Sequence, residues 1–403
     1  MANGKGTDSM RRAVSMKRTD STNSTQRTVA FVSAYYPPKV GGVENYVARL
    51  ARALAEQEDL VPVVITTRPS GLRTEVADED GVRVVRLGAW LRLSNSPISP
   101  LWPMQVRRWL RRTDAQIVNA HAPVPGLADV AMAVSGRRRT VFTYHAGTMH
   151  KGVPGSGLAD RLIARYERHV LPRVFGKADV PVPVGPSSLA AARPGAVLIT
   201  PGVDIERFVP GPPASTRPRD LIYVGRLDTT SSWKGVDVLI EALALLTDLP
   251  EVRLRLIGDG DALPGYLDLA ERLGVAERVE AVGVLRGEDL VKAMGQAAAM
   301  VLPSTTDAEC AGTVLMEGMA CATPVIASDV GSLAYVVQDG DPDEHGGLIV
   351  PPRDPAALAR ACRTVLTDGE LAERLGRAGR RRAESRFSWP LLTRRYVELF
   401  RSL

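Results

Sequence analysis

The sequence predicts an α/β protein built from two doubly wound domains. Three observations carry that expectation. Short apolar, strand-like runs alternate with amphipathic helical segments through both halves of the 403 residues. The alternation falls into two successive series. Between them, Pro and Gly cluster over 200–218 (Pro201, Pro210, Gly211, Pro212, Pro213 and Pro218), as at a domain junction.

The first series opens with a buried-strand run at 28–33. It passes through Tyr35, Tyr36, Pro37, Pro38 and the pair Gly41 and Gly42 into a helix expected over 43–56. Further strands are expected at 61–66, 82–87, 116–119, 140–143 and 196–200. The second series begins at 221–224, followed by a loop and a helix over 236–246 with apolar residues at 239, 242, 243 and 246. Strands at 252–257, 279–282, 300–302, 324–327 and 348–350 follow, most of them separated by helical patterns. An Arg-rich helical pattern fills 370–386, and a last helix runs over 389–402. The expected divisions are a Ser-, Thr- and Lys/Arg-rich tail without fixed structure at 1–26, domains at 27–203 and 204–386, and a terminal helix at 387–403.

A chain of this length supports two full cores, and 45 % hydrophobic with 24 % charged residues is the composition of a soluble globular protein. No apolar run approaches the ~18–20 residues of a membrane span. The N-terminal stretch lacks the apolar segment of a secretory signal. Cys310, Cys321 and Cys362 are odd in number and lack metal-ligand spacing, which fits a reduced cytoplasm. The net charge of +6 divides into +13 for residues 1–200 and −7 for the remainder. A basic half faces an anionic lipid, a phosphorylated substrate or nucleic acid, or it reflects an Arg-rich surface; composition leaves these open. No nucleic-acid motif or set of stacking aromatics accompanies the charge, so nucleic acid is not an expected partner.

The chemistry concentrates in the second half. Glu309 and Glu317 stand eight positions apart, between an apolar run ending at Pro303 and Ser304 and a buried-strand pattern starting at Thr323. Strand, polar loop, helix and strand is the layout that sets a helix N-terminus over a ligand. Thr313 and Glu317 share one helix face. Amides around Gly312, Thr313 and Val314 suit a phosphate, Glu317 reaches a sugar hydroxyl beyond it, and Glu309 faces the next part of the ligand. Upstream, Gly225 and Arg226 follow the first strand of the second series, with Lys234 in the same loop. Two cations at the C-terminal edge of a parallel sheet suit a diphosphate, whose charge grows as it departs.

These segments resemble the retaining family-4 glycosyltransferases: the Glu-x7-Glu pair, the strand-Gly-Arg-Leu start with its following Lys-Gly, and the Pro-Pro-x-x-Gly-Gly entry at Gly41 and Gly42. The resemblance spans about 28–403. It implies a GT-B fold, two Rossmann-like domains facing across a cleft, with an acceptor-binding N-terminal domain, a donor-binding C-terminal domain and a terminal helix crossing back. It implies transfer of a hexose-type sugar from a nucleotide-diphosphate sugar, with retention and without metal or cofactor. Glu309, His145, Arg226 and Lys234 are then the catalytic candidates. Gly41, Gly42, Gly225, Gly312, Thr313, Val314 and Glu317 join Arg226, Lys234 and Glu309 in holding the donor. His121, His150 and Lys151 are candidate acceptor or sugar contacts. The implied acceptor is lipid-linked, phosphorylated or a polysaccharide precursor, with a secondary metabolite as the alternative.

Two departures concern the sugar. The first Glu of the family is usually followed by a small residue, an aromatic and Gly, whereas Cys310 and Ala311 precede Gly312 here. The family's later Gly-Gly-x-x-Glu is replaced by a run from Gly331 through Ser332 to Tyr335. Trp102, Trp109 and Leu110 stand among Arg107, Arg108, Arg111 and Arg112. That pattern fits an interfacial helix on the inner face of a membrane, or a surface helix whose apolar side packs in the core. Asp78, Glu79 and Asp80 look like a metal-binding Asp-x-Asp motif but read as a solvated loop. Asp259 reads as structural. A non-catalytic nucleotide- or glycan-binding protein of the same fold is the reading from another class.

Overall fold

The computed structural model describes residues 26–39, 41–93, 96–149 and 157–403. Residues 1–25 of the expected 1–26 tail, His150 and Lys151 lie outside the described residues.

The first half forms β1 (Arg27–Ser33), β2 (Leu60–Thr67), β3 (Glu75–Glu79), β4 (Val82–Leu87), the short hairpin β5 (Leu91–Leu93) and β6 (Ser96–Ile98), β7 (Ala115–Ala122), β8 (Arg139–Tyr144) and β9 (Val180–Pro183). Its helices are α1 (Gly42–Ala55), α2 (Trp102–Arg112), α3 (Leu127–Val134), α4 (Gly157–His169) and α5 (Leu171–Phe175). The second half supplies β10 (Asp220–Val224), β11 (Arg253–Ile257), β12 (Val279–Gly283), β13 (Ala299–Leu302), β14 (Val325–Ser328) and β15 (Gly347–Val350). Between and after them come α6 (Val236–Ala244), α7 (Leu263–Arg272), α8 (Gly287–Gln296), α9 (Thr313–Ala320), α10 (Leu333–Gln338), α11 (Pro355–Thr367), α12 (Gly369–Arg386) and α13 (Trp389–Ser402).

Among the described residues the strands build two large sheets, ordered β3-β4-β2-β1-β7-β8-β9 and β12-β11-β10-β13-β14-β15. All neighbours run parallel except the edge pair β3 and β4. In each sheet the strand order reverses beside the first strand, between β1 and β7 and between β10 and β13. Crevices of this kind, at the C-terminal strand ends, are where open α/β sheets take ligands. This is the two-domain GT-B architecture that the sequence predicts.

The terminal helix joins the halves. Leu392, Tyr396, Val397 and Phe400 of α13 pack into the core that covers one face of the first sheet, beside α1. The chain crosses between the sheets twice, and the crossings pair: Val203 N donates to Phe387 O (2.6 Å) and Trp389 N to Val203 O (3.1 Å).

Two expectations need correction, and another resolves between its two alternatives. Residues 196–200 do not form a strand. Val197 N and Ile199 N donate to Pro181 O and Pro183 O (3.0 and 3.1 Å), but those prolines have no N–H to return, so the ladder is one-sided. The edge strand is β9, whose Val-Pro-Val-Pro sequence hides it. Second, of the two readings of α2, the surface helix whose apolar side packs in the core is the one found. Trp102, Val106 and Leu110, spaced by four, are buried, and Trp102 Nε1 donates to Gly88 O (3.0 Å). Third, Asp78 and Glu79 end β3 and belong to no loop; they pair with Arg83 and Arg86, and Asp80 pairs with Arg52.

Candidate active site

Lys234 and Glu309 meet at the switch point of the second sheet. Lys234 Nζ lies 2.7 Å from Glu309 Oε2, and Ser304 Oγ donates to the same oxygen at 3.1 Å. Gly235 makes the approach feasible. Its φ is +70°, and a Cβ there would lie 2.1 Å from Pro303 O. The two loops are tied at this place by Thr305 N donating to Trp233 O (2.8 Å). Both charges are mostly withdrawn from water, with 18 % and 10 % of their side chains exposed.

The loop from Asp307 to Ala311 is anchored on its other side. Gly331 has φ +56°, and a Cβ would overlap Glu309 O at 1.6 Å. Gly331 N donates to Asp307 Oδ1 (2.8 Å) and Ser332 N to Cys310 O (3.2 Å). Gly312, at φ +51°, then turns the chain into α9. Thr313 is exposed at the start of α9 and Glu317 half-buried one turn on. Burial pushes the Glu317 carboxyl up to about 7, against the opposing pull of Arg207.

Thr313 and Glu317 line a cavity of about 620 Å³ shared with Gly42, Asn45, Tyr46 and Arg49 of α1 and with Arg207 of the crossing segment. Arg226 lies apart from this group. Its side chain is 62 % exposed, 3.4 Å from Asp228. Gly225 packs its backbone against Gly258, where a Cβ would meet Gly225 O at 1.8 Å, so the Arg226 loop has a fixed base and a free head. Asp259 bonds the amide of Gly260 within its own turn (2.8 Å), a structural role.

The first sheet presents two histidines. His121 ends β7 and His145 follows β8. His121 Nδ1 and His145 Nε2 are 2.9 Å apart. His121 is 1 % exposed and His145 beside it half-buried. Tyr46 lies edge-on to His145 (centroids 4.8 Å apart, 82°) and bonds Tyr396 of α13 (3.0 Å), which also bonds Thr143 (3.1 Å). The loop bearing His145 abuts the Glu309 loop: a Cβ on Gly147 would sit 2.3 Å from Asp307 O.

Glu44, Arg49 and the contact between Ser187 and Ser332 are invisible to motif spacing. Gly41 and Gly42 open α1 as expected, and the carboxyl of Glu44 in the first turn lies close to Gly41. Glu44 is buried, and its Oε2 lies 2.3 Å from where a Cβ of Gly41 would stand. A Glu in the first turn of a helix is the signal that points to it. Ser187 of the first half and Ser332 of the second clasp across the cleft, Oγ to Oγ at 2.6 Å, with Ser187 N donating to Ser332 Oγ (3.0 Å). Arg49 bonds Asp204 (2.7 Å) and lies 4.8 Å over the Trp389 ring, bracing the crossing.

The chain is similar to known proteins over most of its length. Residues 204–382 match the model of the glycosyl transferases group 1, and residues 40–207 that of glycosyltransferase family 4. The chain is 31 % identical to a glycogen synthase of Mycobacterium tuberculosis over 90 % of this chain and 91 % of that protein. It is 29 % identical to a GDP-mannose-dependent alpha-(1-6)-phosphatidylinositol monomannoside mannosyltransferase of Mycolicibacterium smegmatis, over 90 % of this chain and 96 % of that one. Among solved structures, a sucrose-phosphate synthase from Thermosynechococcus elongatus superposes with a TM-score of 0.75 at 26 % identity, covering 94 % of this chain and 99 % of the other.

Proposed function

The chain belongs to the nucleotide-sugar-dependent glycosyltransferases of group 1 and family 4, and on that premise we propose that it transfers a hexose with retention of anomeric configuration. The observation that carries this reading is the Lys234–Glu309 pair beside the cavity lined by Thr313 and Glu317. In this scheme the donor diphosphate lies on Arg226, Lys234 and the first amides of α9, through Gly312, Thr313 and Val314. Glu317 holds the ribose; Glu309 and His145 orient the hexose. The acceptor hydroxyl attacks the anomeric carbon from the face the diphosphate leaves. As the bond from that carbon to the phosphate oxygen breaks, the new glycosidic bond forms on the same side. The acceptor proton passes to the departing phosphate oxygen. Two cations and helix amides stabilise the growing charge, so no step is routed through a metal. Closure of the cleft excludes water and strengthens each of these contacts.

The N-terminal domain is the acceptor side, and a lipid-linked, anionic acceptor fits it best. The relative from Mycolicibacterium smegmatis is named for a phosphatidylinositol monomannoside. Trp90, Leu91, Ile98, Leu101 and Met104 are exposed on the β5–β6 hairpin and the start of α2. Arg107, Arg108, Arg111 and Arg112 are on the same helix. This corner takes the place of the buried side of α2 as the surface facing an anionic bilayer on the cytoplasmic side. Co-sedimentation with phosphatidylglycerol vesicles, weakened by Trp90→Ser with Leu91→Ser, is the expected result; equal binding by that variant sinks the assignment.

The donor reading is tested by thermal stabilisation with UDP, GDP, ADP and dTDP. At 100 times its dissociation constant a ligand adds about 2.7 kcal/mol. A rise with one diphosphate that is lost in Glu317→Ala supports the reading and names the base. A rise of equal size in that variant removes Glu317 from the nucleotide site.

A further inference from the structure

The histidine pair has an asymmetry that fixes where its protons sit. The contact from His121 Nδ1 to His145 Nε2 is 2.9 Å, with the ring planes 25° apart, which suits one N–H···N hydrogen bond. Only one of the two nitrogens carries the shared proton. If His145 donated from Nε2, neutral His121 would have to carry its own proton on Nε2. That atom is buried and has no hydrogen-bond partner. It lies among the rings of Phe31 and Tyr46, whose centroids are 5.9 and 6.0 Å from that of His121. An orphaned buried N–H is rarer and costlier than an under-used acceptor lone pair. The favoured arrangement therefore has His121 donating from Nδ1 and leaves a bare lone pair on its Nε2.

Both rings are neutral. Burial pulls His145 down to about 3, and burial with the neighbouring ring pulls His121 well below the ordinary imidazole value. The backbone holds the pair in place: β7 and β8 run in register from Ile117 to Ala122, and His145 N donates to Ala122 O (3.0 Å). Among the described residues, His145 Nδ1 has no partner.

We infer that His121 is a positioning residue that locks His145 in the tautomer protonated at Nδ1, so that His145 offers the cleft a fixed hydrogen-bond donor. The group it faces is a hydroxyl oxygen of the donor sugar, and the inference rests on the sugar contact proposed above for His145. A donor locked in this way cannot serve as a base at that nitrogen. It adds no positive charge beside an anomeric centre that itself turns positive in the transition state. His121 does for a sugar contact what carboxylates and carbonyls do for metal-bound imidazoles, where one ring nitrogen is set by the bond the other makes.

The test is long-range proton–nitrogen correlation NMR on protein labelled with 15N-histidine. Wild type is expected to show His145 with a protonated Nδ1 and a bare Nε2. His121→Leu removes the donor; His145 then shifts toward the Nε2-protonated form, and kcat/KM for the sugar donor falls about tenfold. Binding of the nucleoside diphosphate alone, which lacks the sugar, is expected to stay within about twofold. In His121→Asn the amide N–H stands where Nδ1–H stood, and both the tautomer and the turnover return. A wild-type His145 protonated at Nε2, or a tautomer unmoved by His121→Leu, overturns the inference. If His121→Leu does not fold, the wild-type and His121→Asn spectra decide alone. Undiminished turnover in His145→Ala overturns the sugar contact, a failure distinct from that of the tautomer lock.

Discussion

Lys234 Nζ stands 2.7 Å from Glu309 Oε2, so the proposed phosphate ligand and the proposed sugar ligand already touch. In the proposed scheme the pair lies where sugar joins diphosphate. It also makes each residue a structural partner of the other, and loss of activity alone does not separate the two roles. Lys234→Met leaves a carboxylate with little water and one hydroxyl partner, and is expected to cost about 2 kcal/mol, below the range for fully buried pairs because some solvent reaches both groups. The double variant Lys234→Met with Glu309→Gln removes both charges. It is expected to recover much of that stability in urea unfolding while remaining inactive. Recovered turnover in the double variant would assign the pair to structure.

Arg226 is the complementary case. Its head is largely exposed and its Asp228 contact is long, so Arg226→Ala is expected to change stability by no more than about 0.5 kcal/mol. A charge-assisted bond to phosphate is worth about 1.5–3 kcal/mol, or a loss of roughly 10- to 100-fold in diphosphate affinity. Calorimetric titration of the variant with the diphosphate identified by thermal shift reads this directly. Unchanged affinity removes Arg226 from the donor site.

How much of this was legible beforehand follows from where the information sits in the chain. Both sheets were readable because their central strands are continuous apolar runs. The donor loop was readable because Glu309, Gly312, Thr313 and Glu317 lie within one strand–helix unit, where spacing fixes geometry. The edge strands were harder. The β3 strand is polar and half in solvent, and prolines make β9 look like a loop. The contacts that complete the site were out of reach because they join distant positions. His121 and His145 are 24 residues apart, Ser187 and Ser332 145, and Tyr46 and Tyr396 350. His121, His145 and Ser332 stand out in one dimension, but nothing in the sequence names the partner of any of these residues, and the fold alone supplies it.

Glu317 gives a pH prediction with a definite sign. Its carboxyl rises from the ordinary 4.5 to about 7 on folding. Between those values the folded protein keeps a proton that the unfolded chain has released. The group therefore favours folding at low pH, and that contribution fades as pH rises through this window. Glu317→Gln deletes the titration. From pH 5 to pH 8 the wild-type Tm is expected to fall relative to that of the variant. A constant difference between the two proteins over this range refutes the raised value.

The clasp between Ser187 and Ser332 concerns closure. Ser332 stands where the family pattern that the sequence resembles has the second glycine of Gly-Gly-x-x-Glu, and glycine has no hydroxyl to send across the cleft. Here that hydroxyl takes the amide of Ser187 and pairs with its side chain. The site of contact is tight: a Cβ on Gly185 would fall 2.4 Å from Ser332 Oγ. The two loops therefore fit together only when the domains are close, and the hydrogen bonds favour that state before any ligand arrives. Each bond is worth about 0.5–1.5 kcal/mol net, enough to shift an open–closed equilibrium severalfold. Ser332→Gly removes hydroxyl contacts to Ser187 across the cleft and to Cys310 within the second domain, and is expected to cost about 0.5–1.5 kcal/mol of that domain's stability. It should enlarge the radius of gyration of the ligand-free protein in small-angle scattering. It should also raise the KM for the donor, because binding must then supply the closure that the clasp now provides. Scattering and KM both equal to wild type would mean that the two serines touch without holding the domains.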